Sequence, residues 1–143
     1  MHPWQSRTEL LLGKEQLEKL SHAHVLQVGL GGVGAYSAEM LCRAGVGEMT
    51  IVDADTVSES NLNRQLPALH STIGRSKVQV MSERLLDINP DLKLHCVEEF
   101  IRDKRTSELL DAAHYDYVLD AIDSLSPKVF LIYQSLQRNY KVL

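Results

Sequence analysis

The sequence predicts an α/β protein with a Rossmann-like, doubly wound sheet that is mainly parallel and carries helices on both faces. Two observations lead to this fold class. Short apolar runs alternate along the chain with longer segments of helical periodicity. In addition, a GxGxxG motif directly follows the first apolar run and opens the next helical segment. With 143 residues, of which 44% are hydrophobic, the chain has the size and composition of one globular domain.

The first half of the chain supplies the first predicted strands and helices. Leucines on both sides of Gly13 indicate one or two short helices broken at that glycine. Residues 25–28 form an apolar run that ends in glycines, which is typical of a buried strand. Residues 33–43 are predicted to be helical because Gly45 and Gly47 follow as a stop signal. Residues 48–53 form the second strand, which ends on an acid.

The second half continues the alternation after a long polar stretch, residues 54–76, whose length favours a functional loop. Apolar residues at helical spacing predict a helix over 77–88, and Asn89-Pro90 ends it. The remaining predicted elements are strands at 92–100 and 117–123, helices at 106–113 and 127–139, and the start of a fifth strand at 141–143.

Composition narrows the possible environments and partners. The formal net charge is −4, so an RNA-binding role would need a local basic patch or a partner. The cysteines Cys42 and Cys96 are far apart and are expected to be core residues. The pair His22 and His24 offers too few ligands for a metal site. No apolar run reaches the ~18 residues of a spanning helix, and the N-terminus does not resemble a signal peptide, so a cytoplasmic location is expected.

The glycine loop is predicted to bind phosphate. Gly29 allows a tight turn, Gly31 lets the backbone approach a phosphate group, and Gly34 lets helix and strand pack closely. The following helix then directs its free N–H groups and positive dipole end toward the anion. Asp53 ends the second strand about twenty residues later, where an acid accepts hydrogen bonds from ribose hydroxyls.

Three charged residues favour a nucleoside triphosphate over a dinucleotide. The carboxyl ends of neighbouring parallel strands open into one crevice, so the long loop and the end of the fourth strand should surround the same ligand. Arg64 offers a fork of donors to phosphate oxygens and Lys77 offers a point charge. Asp123 is predicted to hold Mg²⁺, which binds phosphates through one or two carboxylates.

Together these motifs resemble the ThiF/MoeB adenylyltransferase family, which is related to the adenylation domains of ubiquitin-activating enzymes. The resemblance rests on GLGGVG (29–34), DADTVSESNLNRQ (53–65), Lys77 with INP after its helix (88–90), and DAIDS (120–124). It implies ATP and Mg²⁺ as cofactors and a homodimer. The implied catalytic residues are Arg64, Lys77, Asp123 and Arg7, of which Arg7 would reach the ATP of the partner subunit. The implied nucleotide-binding residues are Gly29, Gly31, Gly32, Gly34, Asp53, Ser60, Asn61, Arg64, Gln65 and Lys77.

The resemblance also implies a reaction, for which three alternatives remain open. DAIDS followed by Pro127-Lys128 and the SRTELLLGKE opening are similar to the branch of the family that adenylates threonylcarbamoyladenosine in tRNA and dehydrates it to the cyclic form. A second alternative is adenylation of the C-terminal glycine of a ubiquitin-like sulfur-carrier protein. A third is a non-catalytic nucleotide-binding subunit. The expected organisation is an N-terminal helical segment, residues 1–24, and an ATP-binding Rossmann-like domain, residues 25–143, which is incomplete at its C-terminus.

Overall fold

Five parallel strands form a single sheet in the computed structural model, which describes residues 2–143. The strands are β1 (His24–Val28), β2 (Glu48–Val52), β3 (Lys93–Val97), β4 (Tyr117–Asp120) and β5 (Lys141–Val142). Their order across the sheet is β3-β2-β1-β4-β5. The chain therefore winds outward in one direction from β1 and in the other from β4, which makes the carboxyl ends of these two strands the switch point of a doubly wound sheet. The predicted fold class is confirmed.

Six α-helices accompany the sheet. They are α1 (Ser6–Leu12), α2 (Lys14–His22), α3 (Gly34–Ala44), α4 (Lys77–Ile88), α5 (Lys104–Asp111) and α6 (Leu125–Gln137). Gly13 separates α1 from α2 with φ +82, a conformation that favours glycine, so the predicted break is confirmed. Among residues 2–143, no helix combines the length and hydropathy that crossing a bilayer requires.

The helices cover both faces of the sheet because alternate residues of the central strands are apolar on each side. Val25 of β1 and Met49 and Ile51 of β2 pack against α3 and α4, which contribute Ala38, Cys42, Val78, Met81 and Leu85. Leu26 and Val28 of β1 and Val118 of β4 pack on the opposite face against α5 and α6, which contribute Leu109, Leu110 and Leu131. Both cores are buried, and this burial is the main force that holds the layers together.

The N-terminal helices pack at the amino-terminal edge of the sheet. Backbone N–H groups of Gly47 and Glu48 donate to the carbonyls of Leu20 and Ala23, each at 3.1 Å. A Cβ atom on Gly47 would lie 1.8 Å from the carbonyl oxygen of Ser21, so this approach requires glycine. The division at residue 24 stays an interpretation, since α2 is in close contact with the sheet and His24 is already the first residue of β1.

Two strands end three residues earlier than the sequence indicates. β3 ends at Val97 rather than residue 100, and β4 ends at Asp120 rather than residue 123. The last pairs of these ladders are Val52 with Val97 and Val28 with Asp120. Beyond Val28 the neighbouring strand turns at Gly29, which has φ +96, so a longer β4 would have no partner for its backbone hydrogen bonds there. The residues that follow both strands form loops instead.

The two cysteines have different environments. Cys42 is buried, as expected, and burial raises the pKa of its thiol to about 11. The expectation that Cys96 is a core residue is wrong, because Cys96 is exposed. It lies on β3, which is the edge strand of the sheet and has a neighbouring strand on one side only.

Glu39 joins α3 to α4 through an ion pair. Its carboxylate accepts hydrogen bonds from Arg84 Nε at 2.5 Å and from Arg43 Nε at 2.9 Å, and its side chain is only 6% exposed. The hydrogen bond from Arg84 lowers the pKa of Glu39 most, burial opposes this effect, and Arg43 adds to the lowering. The charged form of Glu39 is therefore more stable in the folded protein than in the unfolded chain.

Glu39→Gln should lower the free energy of unfolding at pH 7 by about 1–2 kcal/mol, because both arginines lose a charged acceptor. Folding lowers the pKa of Glu39. The wild-type protein should therefore have the larger free energy of unfolding at pH values above the unfolded-state pKa of Glu39, and this difference should be lost as the pH falls through the folded-state pKa. Urea denaturation at pH 7 and at about pH 3 measures both effects. Glu18→Gln, at an exposed position of α2, is the control and should change stability by less than about 0.5 kcal/mol. An equal loss for the two variants, or a loss at pH 7 that persists in acid, would contradict the assignment.

Candidate functional site

A cleft of about 680 Å³ opens at the carboxyl ends of β1, β2 and β4. This volume is within the range of small-molecule sites, and the position is the switch point at which doubly wound folds bind ligands. Eight of the residues predicted from the sequence line it, namely Gly29, Gly31, Gly32, Asp53, Arg64, Gln65, Lys77 and Asp123. The fold therefore brings together side chains from the glycine loop, the long loop, α4 and the loop after β4.

Two glycines are required by the backbone itself. A Cβ atom on Gly29 would lie 2.5 Å from the carbonyl oxygen of Ala121, and one on Gly34 would lie 1.8 Å from that of Gly29. The backbone of the glycine loop thus passes directly beside the end of β4. This close packing starts α3 at Gly34, and the first turn of α3 lies beside the loop.

The other two glycines lie beside flexible side chains rather than against the backbone. A Cβ atom on Gly31 would meet only Gln65 Nε2 at 3.6 Å, and one on Gly32 would meet only the Arg64 side chain, also at 3.6 Å. These are ordinary contacts, so neither position needs glycine for the chain to fold. Both residues line the cleft, and a bare backbone there leaves room for a ligand to reach the peptide N–H groups.

Asp53 connects β2 to the glycine loop. Its Oδ2 accepts a hydrogen bond from the backbone N–H of Leu30 at 2.7 Å, and its Oδ1 accepts one from the N–H of Asp55 at 2.8 Å. The carboxylate therefore holds the loop in place, a role that the sequence did not indicate. Each carboxylate oxygen has a further lone pair, so Asp53 can also accept from a ligand in the cleft.

Lys77 is a buried cation with an incomplete set of partners. It is the first residue of α4 and is 5% exposed, yet its Nζ atom lies 3.8 Å from the nearest carboxylate oxygen, Asp55 Oδ2. The Asp55 side chain itself is largely exposed. Lys77 lines the cleft, so its ammonium group can pair with an anion that enters there.

Arg64 and Gln65 cover the glycine loop from the other side. Arg64 Nη1 donates to Asn63 Oδ1 at 2.9 Å and to the carbonyl of Ser60 at 3.2 Å. These bonds hold one end of the guanidinium group, which has five donors in total. Gln65 Oε1 is buried and has no hydrogen-bond partner among the described residues. Both side chains can therefore form further hydrogen bonds with a polar ligand.

The loop after β4 places one carboxylate in the cleft and uses another for support. Asp123 is exposed and lines the cleft. Asp120 points elsewhere: its carboxylate accepts from the N–H of Ile122 at 3.0 Å and pairs with Lys128 of α6. Asp120 therefore supports the loop and does not line the cleft. One carboxylate beside a phosphate-sized space fits Mg²⁺, which keeps several waters and binds through one or two carboxylates plus phosphate oxygens.

Four of the predicted site residues do not line the cleft. Gly34 acts through its packing on Gly29. Asn61 is buried and its Oδ1 accepts from the backbone N–H of Ser58 at 2.9 Å, while Ser60 is exposed and its hydroxyl lies 3.0 Å from that of Ser58. Asn61 and Ser60 thus shape the loop that carries Arg64. Arg7 is exposed on α1, at the N-terminal end of the fold.

The cleft also contains residues that the sequence pattern did not single out. Glu99, Phe100 and Ile101 line it from the loop between β3 and α5. Glu99 and Phe100 were missed because the sequence predicts one continuous strand over residues 92–100, and Ile101 follows directly after it. The available signal was the charged pair Glu98-Glu99 before Phe100, which interrupts the apolar run. Phe100 is 55% exposed and Ile101 is buried, so together they present an apolar surface at one end of the cleft.

The arrangement at the switch point is typical of the nucleotide sites of Rossmann-like proteins: a glycine loop, the cations Arg64 and Lys77, and the carboxylates of Asp53 and Asp123. The model of the ThiF family matches residues 5–143. The chain therefore belongs to the ThiF family.

Individual relatives fall into two branches of that family. The tRNA threonylcarbamoyladenosine dehydratase of Bacillus subtilis is 41% identical over 138 residues, which cover 96% of this chain and 54% of the relative. A crystal structure of the Escherichia coli tRNA N6-threonylcarbamoyladenosine dehydratase, TcdA, in complex with ATP has a TM-score of 0.94 and 36% identity, and the match covers 99% of this chain and 59% of that one. The molybdopterin-synthase adenylyltransferase of Escherichia coli is 39% identical over 109 residues, 76% of this chain and 43% of the relative. The chain spans about half the length of the curated relatives it matches.

The different roles of the glycines can be tested by substitution. Gly34→Ala should lower the free energy of unfolding by about 1–3 kcal/mol or more, because the new methyl group overlaps the Gly29 carbonyl. Gly31→Ala is the matched control within the same loop and should change stability by less than about 1 kcal/mol. Thermal and urea unfolding followed by circular dichroism compares the two. Equal stability of the two variants would show that the loop does not pack as described.

Proposed function

We propose that this chain binds ATP in the cleft and that the protein activates a substrate carboxylate by adenylation. The observation that carries the proposal is the convergence of Arg64 and Lys77 on a glycine loop whose Gly31 and Gly32 line the same cleft. Membership of the ThiF family and similarity to an enzyme solved with ATP support it. The substrate we infer is threonylcarbamoyladenosine in tRNA, because a dehydratase of that nucleoside matches 96% of the chain, whereas a molybdopterin-synthase adenylyltransferase matches 76%.

In this proposal each side of the cleft contacts one part of ATP. The phosphates lie over Gly31 and Gly32, near the first turn of α3, where N–H groups and the helix dipole favour negative charge. Arg64 and Lys77 bind the phosphate oxygens. Asp53 accepts hydrogen bonds from the ribose, and the apolar surface of Phe100 and Ile101 contacts the adenine ring.

The proposed chemistry requires little from the protein beyond charge and position. The substrate carboxylate attacks the α-phosphorus, the bond to the bridging oxygen breaks, and pyrophosphate leaves with the electron pair. The product is an acyl-adenylate, from which closure of the ring expels AMP. Two anions must approach each other in the first step, so Arg64 and Lys77 would offset the repulsion and stabilise the charge that develops on pyrophosphate.

Mg²⁺ is a further part of the proposal, with Asp123 as its protein ligand. When bound, the ion would supply positive charge that neutralises phosphate oxygens. Asp123 has the exposure and the position at the cleft that such a ligand needs. Arg7 remains the candidate for a contact with the ATP of a partner subunit in a homodimer, since it is exposed and does not line the cleft of its own chain. A cytoplasmic location likewise remains a prediction.

A second candidate function is adenylation of the C-terminal glycine of a ubiquitin-like carrier protein. Similarity at 39% identity to a molybdopterin-synthase adenylyltransferase favours this alternative. Both candidates use the same cleft and the same first step, since each joins a carboxylate to AMP. They differ in the acceptor, which is a modified nucleoside in one case and a protein terminus in the other.

The nucleotide assignment is tested by calorimetric titration with ATP and with NAD, each with and without Mg²⁺. ATP should bind more tightly than NAD, and Arg64→Gln and Lys77→Gln should each raise the Kd for ATP at least tenfold, which is about 1.4 kcal/mol. Arg75→Gln is the matched control, because Arg75 is a neighbouring arginine that pairs with Glu83 outside the cleft. Tight binding of NAD with no binding of ATP would overturn the proposal.

The acceptor is tested by exchange of labelled pyrophosphate into ATP. Exchange should depend on tRNA that carries threonylcarbamoyladenosine, and unmodified tRNA should not support it. A ubiquitin-like carrier protein ending in Gly-Gly is the parallel substrate. Exchange with the carrier alone would establish the second candidate function. Binding of ATP without exchange for either acceptor would establish a non-catalytic nucleotide-binding role.

A further inference from the structure

Two imidazole groups and a carboxylate meet on the sheet face near the amino-terminal edge, at the end of the strands opposite the cleft. His24 is the first residue of β1, Glu48 is the first residue of β2, and His95 lies on β3. His95 Nε2 is 2.8 Å from Glu48 Oε1, and His24 Nδ1 is 3.7 Å from the same oxygen. The three atoms that could bind a metal ion lie within 4.8 Å of one another. Within residues 2–143, no other group of three His, Cys, Asp or Glu side chains meets this criterion.

The ring of His24 is held in a fixed orientation. It is 7% exposed, its centroid lies 4.7 Å from that of Tyr115, and its Nε2 is 2.9 Å from Thr50 Oγ1. In the tautomer in which Nε2 donates to Thr50, Nδ1 directs its lone pair toward Glu48. Histidines that bind metals have this arrangement, in which one ring nitrogen is the ligand and the other donates to a neighbouring acceptor.

We propose that His24 Nδ1, Glu48 Oε1 and His95 Nε2 form a binding site for Zn²⁺. Three ligands about 2.0–2.1 Å from a tetrahedral ion lie roughly 3.4 Å from one another. The 2.8 Å and 3.7 Å separations lie on either side of that value, and the third pair of ligand atoms lies within 4.8 Å. Two imidazoles and one carboxylate suit Zn²⁺ better than Mg²⁺ or Ca²⁺, which prefer oxygen ligands only. The fourth position is left to water.

This site differs from the histidine pair considered in the sequence. His22 ends α2, and its Nδ1 lies 2.8 Å from the carbonyl oxygen of Glu18, so it faces its own helix rather than His24. The ligands that join His24 come from two other strands, far away in the sequence. Because the ion would connect β1, β2 and β3, its binding should stabilise the sheet without contacting the nucleotide cleft.

The test is a calorimetric titration of metal-free protein with ZnCl₂, with Co²⁺ as a spectroscopic probe. We expect one Zn²⁺ per chain, a rise in Tm on binding, and the visible absorption of four-coordinate Co²⁺. His95→Ala, at an exposed position, should weaken Zn²⁺ binding at least tenfold and abolish that absorption. Thr50→Val removes the acceptor for the His24 ring and should weaken binding about ten- to a hundredfold.

Controls separate this site from adventitious binding by surface histidines. His22→Ala removes a nearby exposed histidine and should leave both the affinity and the Co²⁺ spectrum unchanged. Glu48→Gln provides a second ligand variant, and circular dichroism verifies that each variant is folded. ATP binding should be the same in all of them, so failure of the zinc site and failure of the nucleotide site are distinguishable. Absence of binding, or binding that His95→Ala and Glu48→Gln leave intact, would overturn the proposal.

Discussion

The close approach of the glycine loop to the end of β4 sets the geometry of the cleft. Gly29 lies against the backbone of Ala121, and Gly34 lies against the backbone of Gly29, at distances that exclude any side chain. This contact starts α3 beside the loop and places Gly31 and Gly32 in the wall of the cleft, next to Gln65 and Arg64. It also explains why β4 ends where it does, and hence why the following loop can carry Asp123 into the cleft.

The charges around the cleft are held by the fold without being fully neutralised. Each carboxylate oxygen of Asp53 accepts one hydrogen bond from the backbone. The Nζ atom of Lys77 lies 3.8 Å from the exposed carboxylate of Asp55. Arg64 is held at one end of its guanidinium group. Such an arrangement is costly for folding alone, which is why we interpret it as preorganisation for an anionic ligand. The same sheet brings two histidines and a glutamate together at its other end, where a different ligand chemistry is available.

Much of the fold could be predicted because its signals are local. The apolar period of residues 77–88 defines α4, and Asn89-Pro90 ends it at the predicted residue. The strand ends could not be predicted in this way, since a strand continues only while a neighbour can accept its hydrogen bonds. The main consequence is that β3 was predicted to continue to residue 100. The loop that begins after Val97, and that carries Phe100 and Ile101 into the wall of the cleft, was therefore not predicted.

The residues of the candidate site can be divided in the same way, into those that local sequence predicts and those that depend on contacts between distant segments. The glycine loop could be predicted because a phosphate-binding turn imposes its requirements on consecutive residues. Asp53, Arg64, Lys77 and Asp123 were predicted to lie beside it because loops at the carboxyl ends of parallel strands meet in one crevice, and all four line the cleft. The loop-shaping role of Asn61 and the meeting of His24, Glu48 and His95 depend on contacts between distant segments. Contacts of this kind cannot be predicted from residues that lie far apart in the sequence. The parallel register of β1, β2 and β3 brings the two histidines and the glutamate together.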